Sequence, residues 1–235
     1  MIVNRPEKET VKVLNGWRTS IGRIWLSIPL IFLVKGGVVY LQYFMDMETL
    51  GTRDDAIILT IGTLMVPDDY TNDNPAEVYS EFGKLYHLNP LEEEKLYNRS
   101  IDFSTVHWWV TKNSEVFKEQ INYETSWKMS RVIDEILSKL NRSGFFEKGT
   151  KNIMWSRGLF EVKLWDSVIR NLRYKESLMF WHWRDSRTAC DVLCGDPNGN
   201  IKELSGLNKH DPVSDCVLDY FRLKKLGCLR GVTKY

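Results

Sequence analysis

Charge of one sign is what this 235-residue chain most plainly lacks. Its 32 Lys and Arg stand against 31 Asp and Glu, a formal net charge of +1. That balance excludes a uniformly basic nucleic-acid coat, while a local basic groove stays open. Cysteine is scarce and late: Cys190, Cys194, Cys216 and Cys228 have the spacing of neither a zinc knuckle nor a disulfide framework, which points to a reducing cytoplasm. No apolar run reaches the roughly 20 residues of a comfortable membrane span. The longest, residues 21–34, is shorter and is interrupted by Arg23 and Pro29. A secretory signal would continue into a small-residue cleavage site, whereas Lys35-Gly36-Gly37 follows, so neither membrane anchorage nor secretion is expected. Internal repeats and low-complexity segments are also missing. What is there, 43% hydrophobic and 27% charged residues with nine tryptophans, suits one globular domain with a single sizeable core.

The apolar pattern changes period along the chain. Residues 38–45 (VVYLQYFM) read as a buried strand that runs into Asp46-Met47-Glu48 and is closed by Gly51. Residues 56–66 read as a second strand stopped by Pro67, and the alternation over 78–88 completes a three-stranded meander. Beyond a break at Asn89-Pro90, spacings of three and four predict helices over 104–120 and 127–140. A strand at 153–156, a helix over 160–172, a strand at 178–183, a short helix over 188–193 and a last helix over 212–226 follow, the last opened by Asp211-Pro212. The expected fold is α/β: one mixed sheet of about five strands flanked by helices.

Three groups of residues carry chemistry. Asp46 and Glu48, two apart on a strand, leave the same face. Two carboxylates so close repel unless a cation lies between them, which suits Mg²⁺ or Mn²⁺; an acidic pair in a turn is the other reading. In His210-Asp211-Pro212-Val213-Ser214-Asp215 the proline opens a helix, so His210 on the loop and Asp215 one turn inside can face one point. An imidazole beside a metal-ligating carboxylate can deprotonate a water; a loop histidine with a surface aspartate is the alternative. In Trp155-Ser156-Arg157-Gly158-Leu159-Phe160-Glu161 a strand ends at a glycine and a helix begins with an acid in its first turn. Asp166, five residues further, competes for that role from another side of the helix.

Together these groups resemble the DEDDh 3′→5′ exonucleases of the ribonuclease H-like fold, in the order that family uses. The nearer likeness is to phage-type exonuclease A and oligoribonuclease-like exoribonucleases. Asp46-Met47-Glu48-Thr49-Leu50-Gly51 is similar to the first motif, and Ser104-Thr105-Val106-His107-Trp108-Trp109 to a Ser-Thr-x-x-Trp-Trp element. Trp155 to Glu161 resembles Trp-x-Arg-Gly-x-x-Phe-Asp, Phe180 to Thr188 resembles Phe-Trp-x-x-Arg-Asp-x-Arg-Thr, and His210 to Cys216 resembles His-Asp-x-x-x-Asp-Cys. The likeness runs from about residue 38 to 226. It gives a single exonuclease domain over 38–235 and an N-terminal extension over 1–37, which a later translation start would omit. Two departures stand out: the chain is one residue short between Gly158 and Phe160, and Glu161 stands where the family has Asp.

The resemblance implies that Asp46 bridges two Mg²⁺ or Mn²⁺ ions, that Glu48 and Asp215 hold the ion with the attacking water, that His210 takes its proton, and that Glu161 holds the second ion. It implies substrate contacts from Thr49, Leu50, Trp108, Trp109 and Phe160, with one of the two adjacent tryptophans in the core. Arg184, Asp185 and Arg187 either meet phosphate, with Asp185 orienting an arginine, or form a structural ion pair. The implied activity is release of nucleoside 5′-monophosphates from single-stranded 3′ ends, DNA preferred over RNA, in the cytoplasm (a host's, if phage-encoded). Short RNA is the alternative substrate. A weakened member that binds ends without efficient turnover is the alternative class, motivated by Glu161 and its short loop. Trp155, Trp165 and Trp181 read as core, Cys190 and Cys194 as buried apolar groups, His87, His107 and His182 as uninvolved in metal binding, and Glu92-Glu93-Glu94-Lys95 as a solvated face.

Overall fold

The computed structural model describes residues 41–121, 126–147, 152–175 and 177–229. The apolar stretch at 21–34 and residues 38–40 of the expected first strand lie outside them. Strands β1 (Leu41–Thr49), β2 (Ile58–Pro67), β3 (Gly83–His87), β4 (Met154–Ser156) and β5 (Trp183–Asp185) form one sheet in the order β3-β2-β1-β4-β5. The first three pair antiparallel, and β4 and β5 add in parallel beside β1. This is the mixed, ribonuclease H-like sheet, with β1 at its centre.

Alternation along β1 sorts its side chains between two helical layers. Tyr43, Met45 and Met47 join the core beneath α5 (Met129–Arg142) and α6 (Phe160–Leu172). Phe44 points the other way, into the core beneath α7 (Ser186–Cys194) and α8 (Pro212–Lys225). Asp46 and Glu48 continue the row of Phe44. They lie inside the strand, so the turn reading of this pair does not hold. Helix α5 buries Met129, Val132, Ile133, Ile136 and Leu140, the spacing of one apolar stripe. Among the described residues no helix is long and apolar enough to cross a membrane.

Several segments differ from the sequence expectations. Residues 75–82 are helix α1 (Pro75–Phe82), and only Gly83–His87 of the expected strand is extended. Asn74 caps α1 by accepting from the Ala76 N–H, and Pro75 holds the first turn. Asn89-Pro90 does the same for α2 (Pro90–Tyr97), where a break was expected. The acidic run on α2 is not wholly solvated: Glu93 is buried, its Oε2 accepting from the Ile58 N–H at 2.9 Å and lying 3.3 Å from Arg99 Nε. The helix expected over 104–120 divides at Asn113 into α3 (Phe103–Lys112) and α4 (Ser114–Gln120). Residues 180–182 form a 3₁₀ turn before β5, which leaves Trp181 53% exposed where a core residue was expected. Trp155, Trp165 and Cys190 are buried as anticipated; Cys194 is only partly so.

Candidate active site

Asp46 sits opposite Gly62 in the β1–β2 ladder, and Glu48 opposite Thr60. Helix α8 crosses this part of the sheet. Its start is set by Asp211, which accepts from the Ser214 N–H at 2.7 Å, and by Pro212 at the first helical position. Asp215 therefore occupies the first turn. Gly62 lets that turn lie on the strand: a Cβ there would stand 2.4 Å from the carbonyl carbon of Pro212. A lone glycine in an otherwise β-branched strand is the signal of such a close approach, and it was legible in residues 58–66.

The next acid comes from the far side of β1. After β4 the chain turns through Gly158, whose φ of +136° suits glycine alone, and enters α6 at Phe160. Glu161 follows in the first turn, 6% exposed, with Oε2 buried and without a hydrogen-bond partner. Asp166 is exposed on the outer side of the same helix. The structure thus places Glu161 in the cleft and leaves Asp166 at the surface.

An open cleft of about 480 Å³ joins these parts. Asp46, Glu48, Glu161, Asp215 and His210 line it together with Thr49, Trp108, Trp109 and Phe160. Nδ1 of His210 lies 3.7 Å from Oε1 of Glu48, an ion-pair distance too long for a hydrogen bond. The rings of Trp108 and Trp109 meet the imidazole edge to face, at centroid distances of 5.0 and 5.8 Å. The adjacent tryptophans divide as the helix turn requires. Trp109 is 1% exposed, stacks on Phe117 and donates its indole N–H to the Thr49 carbonyl at 2.9 Å; Trp108 is 39% exposed on the cleft wall.

Burial first, and then mutual repulsion, raise the carboxyls. Asp46 stands well above the ordinary range, with Asp215, Glu161 and Glu48 adding to the effect of desolvation. Desolvation also raises Glu48, against the opposing effect of His210. Burial brings Glu161 to about 6 and, with the charge of Glu48, Asp215 to about 7. The Glu48 carboxylate in turn lifts His210 above its usual value, against the effect of burial. Among the described residues no lysine or arginine forms a salt bridge with these four acids. Ligand atoms of Glu48, His210 and Asp215 lie within 4.8 Å of one another. The carboxylate oxygens of the four acids, one Glu161 oxygen among them without a partner, fit hard divalent cations such as Mg²⁺ or Mn²⁺.

Other residues expected at the site fall differently. Leu50, 8% exposed, packs with Ile57, Leu59 and Trp109 and does not line the cleft. Arg184 turns its guanidinium to the carbonyls of Trp181 and Trp183. Asp185 caps α7, accepting from the Arg187 N–H and the Thr188 hydroxyl, and among the described residues no ion pair joins it to either arginine. Arg187 and Asp185 are nonetheless close enough to act on Glu161. Thr52, Ser104 and Thr105 line the cleft without having been assigned a role from the sequence. Asp219, one helical turn beyond Asp215, is buried and accepts from Arg157 at 2.9 Å, Arg222 at 2.7 Å and the Ser186 hydroxyl, tying the β4–α6 loop and the start of α7 to α8 behind the acids. Its i+4 spacing from Asp215 was the available clue.

The sequence profile of one family, described as a 3′-5′ exoribonuclease Rv2179c-like domain, matches residues 41–219. No curated protein matches the chain. The matched span starts at the first residue of β1 and takes in Asp46, Glu48, Glu161, His210 and Asp215.

Proposed function

The chain belongs to the family of Rv2179c-like 3′-5′ exoribonuclease domains, and from that premise we propose that it removes nucleotides from the 3′ end of single-stranded RNA as 5′-monophosphates. In this reading Asp46, Glu48, Glu161 and Asp215 are a DEDDh-type acid set holding two Mg²⁺ or Mn²⁺ ions, and His210 is the general base. One observation carries it: four acids from β1, α6 and α8 share one cleft with His210 and, among the described residues, form no salt bridge with a lysine or arginine. Bound there, the divalent cations would supply Lewis-acid stabilisation of the charge that develops on the phosphoryl oxygens.

The residues of the chain do the rest. His210, neutral, accepts the proton of the attacking water through a ring nitrogen. The new water oxygen–phosphorus bond forms as the phosphorus–O3′ bond breaks, and the leaving 3′-oxygen takes a proton from solvent water and ends as a hydroxyl. Glu48 and the rings of Trp108 and Trp109 hold the imidazole in place. Trp108 offers the exposed part of its ring to the terminal base, a contact that tolerates any sequence. Arg187, near Glu161, is suited to a phosphate of the incoming strand.

The test is turnover of 5′-end-labelled RNA and of DNA of the same sequence, with Mg²⁺ and then with EDTA. Stepwise shortening of RNA from its 3′ end, stopped by EDTA and lost in Asp46→Ala, is the expected result. Shortening that survives EDTA, or internal cleavage, overturns the reading. The DNA arm addresses the likeness to phage-type exonuclease A: faster loss of DNA would reassign the substrate and leave the mechanism standing.

A further inference from the structure

His210 carries φ = +60°, a left-handed conformation that costs a residue with a side chain free energy and persists only where its surroundings hold it. Of the four non-glycine residues with positive φ among those described, Asn98 and Arg173 end helices and Asn200 is a turn asparagine. His210 ends no helix; it lies in the turn before α8, where the Asp211 N–H reaches the Asn208 carbonyl at 3.4 Å. A bond that long leaves the conformation in need of a further tie.

A buried amide answers this. Gln120, the last residue of α4, is buried, and its Nε2 donates to the backbone carbonyl of His210 at 3.0 Å. Its Oε1 accepts from the Thr60 hydroxyl at 2.5 Å. The orientation is dictated by chemistry: a backbone carbonyl can only accept, so the amide nitrogen faces it and the oxygen is left for Thr60. Thr60 in turn sits opposite Glu48 in the ladder. The strand paired with the one that carries Glu48 is thereby tied, through one hydroxyl and one amide, to the backbone of His210. Both ends of the amide are satisfied, so the bridge is rigid where a loop on its own would not be.

We propose that Gln120 is a positioning residue, which with Thr60 holds the His210 backbone in its left-handed conformation and so fixes the imidazole against Glu48. This rests on the reading of His210 as general base. Gln120 touches neither substrate nor the four acids; it acts through His210 alone. Because about 1 Å of misplacement can cost 10²-fold in rate, a small relaxation of this loop is enough to matter.

The experiment is a mutant cycle on the full chain with Mg²⁺ and a 5′-labelled RNA. Gln120→Met keeps the length and packing of the side chain and removes both hydrogen bonds. It is expected to lower kcat by about 10- to 100-fold, with KM and the half-saturating Mg²⁺ concentration unchanged. In a His210→Ala background the same change should add less than about 3-fold, because the group it positions is already gone. An unchanged kcat overturns the proposal, as does a loss that multiplies fully with that of His210→Ala. Should Gln120→Met fail to fold, Thr60→Val decides, with a smaller kcat loss of the same kind expected. A second measurement needs no turnover: NMR shifts of the His210 Cα and imidazole should move on Gln120→Met, and unmoved shifts overturn the proposal. An inert wild-type enzyme would sink the functional reading, while the NMR arm would still decide whether Gln120 positions His210.

Discussion

Asp46 and Gly62 face each other across the β1–β2 ladder, and the space a side chain would need at 62 is filled by the backbone of Pro212 and Val213. The acid at the centre of the cleft and the glycine that admits the start of α8 are thus one cross-strand pair. Gly62→Ala would put a methyl group 2.4 Å from the Pro212 carbonyl carbon and 2.6 Å from the Val213 nitrogen. Neither is the mobile end of a side chain, so the helix must move. Overpacking of this kind costs about 1–3 kcal/mol, and displacing Asp215 by about 1 Å is expected to cut turnover by 10²-fold. Thermal unfolding and RNA turnover of Gly62→Ala check both; wild-type values for both would show that the approach is not tight.

Metal-free protein should lose stability as pH rises through the range where its buried acids ionise. Glu161 at about 6 and Asp215 at about 7, with Asp46 and Glu48 also raised, bind protons in the folded state that the unfolded chain has already released. The folded state then holds more protons between the ordinary carboxylate range and neutrality, so stability declines with pH there. In EDTA the melting temperature is expected to fall from about pH 5 to about pH 8. Excess Mg²⁺ should remove that fall, because it binds the ionised acids. A flat or rising EDTA curve would contradict the clustering of charge.

Glu161→Gln removes one charge and keeps the shape. It is expected to cut turnover by at least about 10²-fold, only partly offset by excess metal. Asp166→Asn, on the exposed side of α6, should be nearly silent. Glu161→Asp, which keeps the charge and shortens the side chain by one methylene, is expected to fall below wild type. A dead Asp166→Asn beside an active Glu161→Gln would move the third acid along the helix.

The two adjacent tryptophans should separate cleanly. Trp108→Ala is expected to raise KM for RNA by about 10-fold whatever the terminal base, as loss of one stacking contact implies, with stability little changed. Trp109→Ala empties a buried site and leaves the Thr49 carbonyl without its indole donor; a loss of about 3–5 kcal/mol in stability is expected. Equal KM effects from both would mean that Trp109 also meets the substrate.

Much of the site was legible because its pieces are local. Asp46 and Glu48 show their common face through strand alternation, and Asp211-Pro212 announces the helix that carries Asp215. The misread segments failed for the same local reason. Val78, Tyr79 and Phe82 favour strands by type, yet Asn74-Pro75 starts a helix there, and a cap with a proline outweighs side-chain preference over one or two turns. Glu93 looks like its neighbours in the charge run; only Arg99 beyond the end of α2 and the distant Ile58 N–H mark it as a buried residue. Trp181 has the composition of a core residue and the position of a turn. The bridge from Thr60 through Gln120 to His210 spans 60 and then 90 residues of sequence, so no periodicity could reveal it.

The order of the acids along the chain has a consequence for the protein's own synthesis. Asp46 and Glu48 emerge early, Glu161 well over a hundred residues later, and His210 with Asp215 only when the last described helix is made. On the reading proposed above, a nascent chain has two acids until Glu161 is added, and no base until His210 is. The cleft as described therefore cannot assemble before Asp215 has been made, because α8 supplies its last acid.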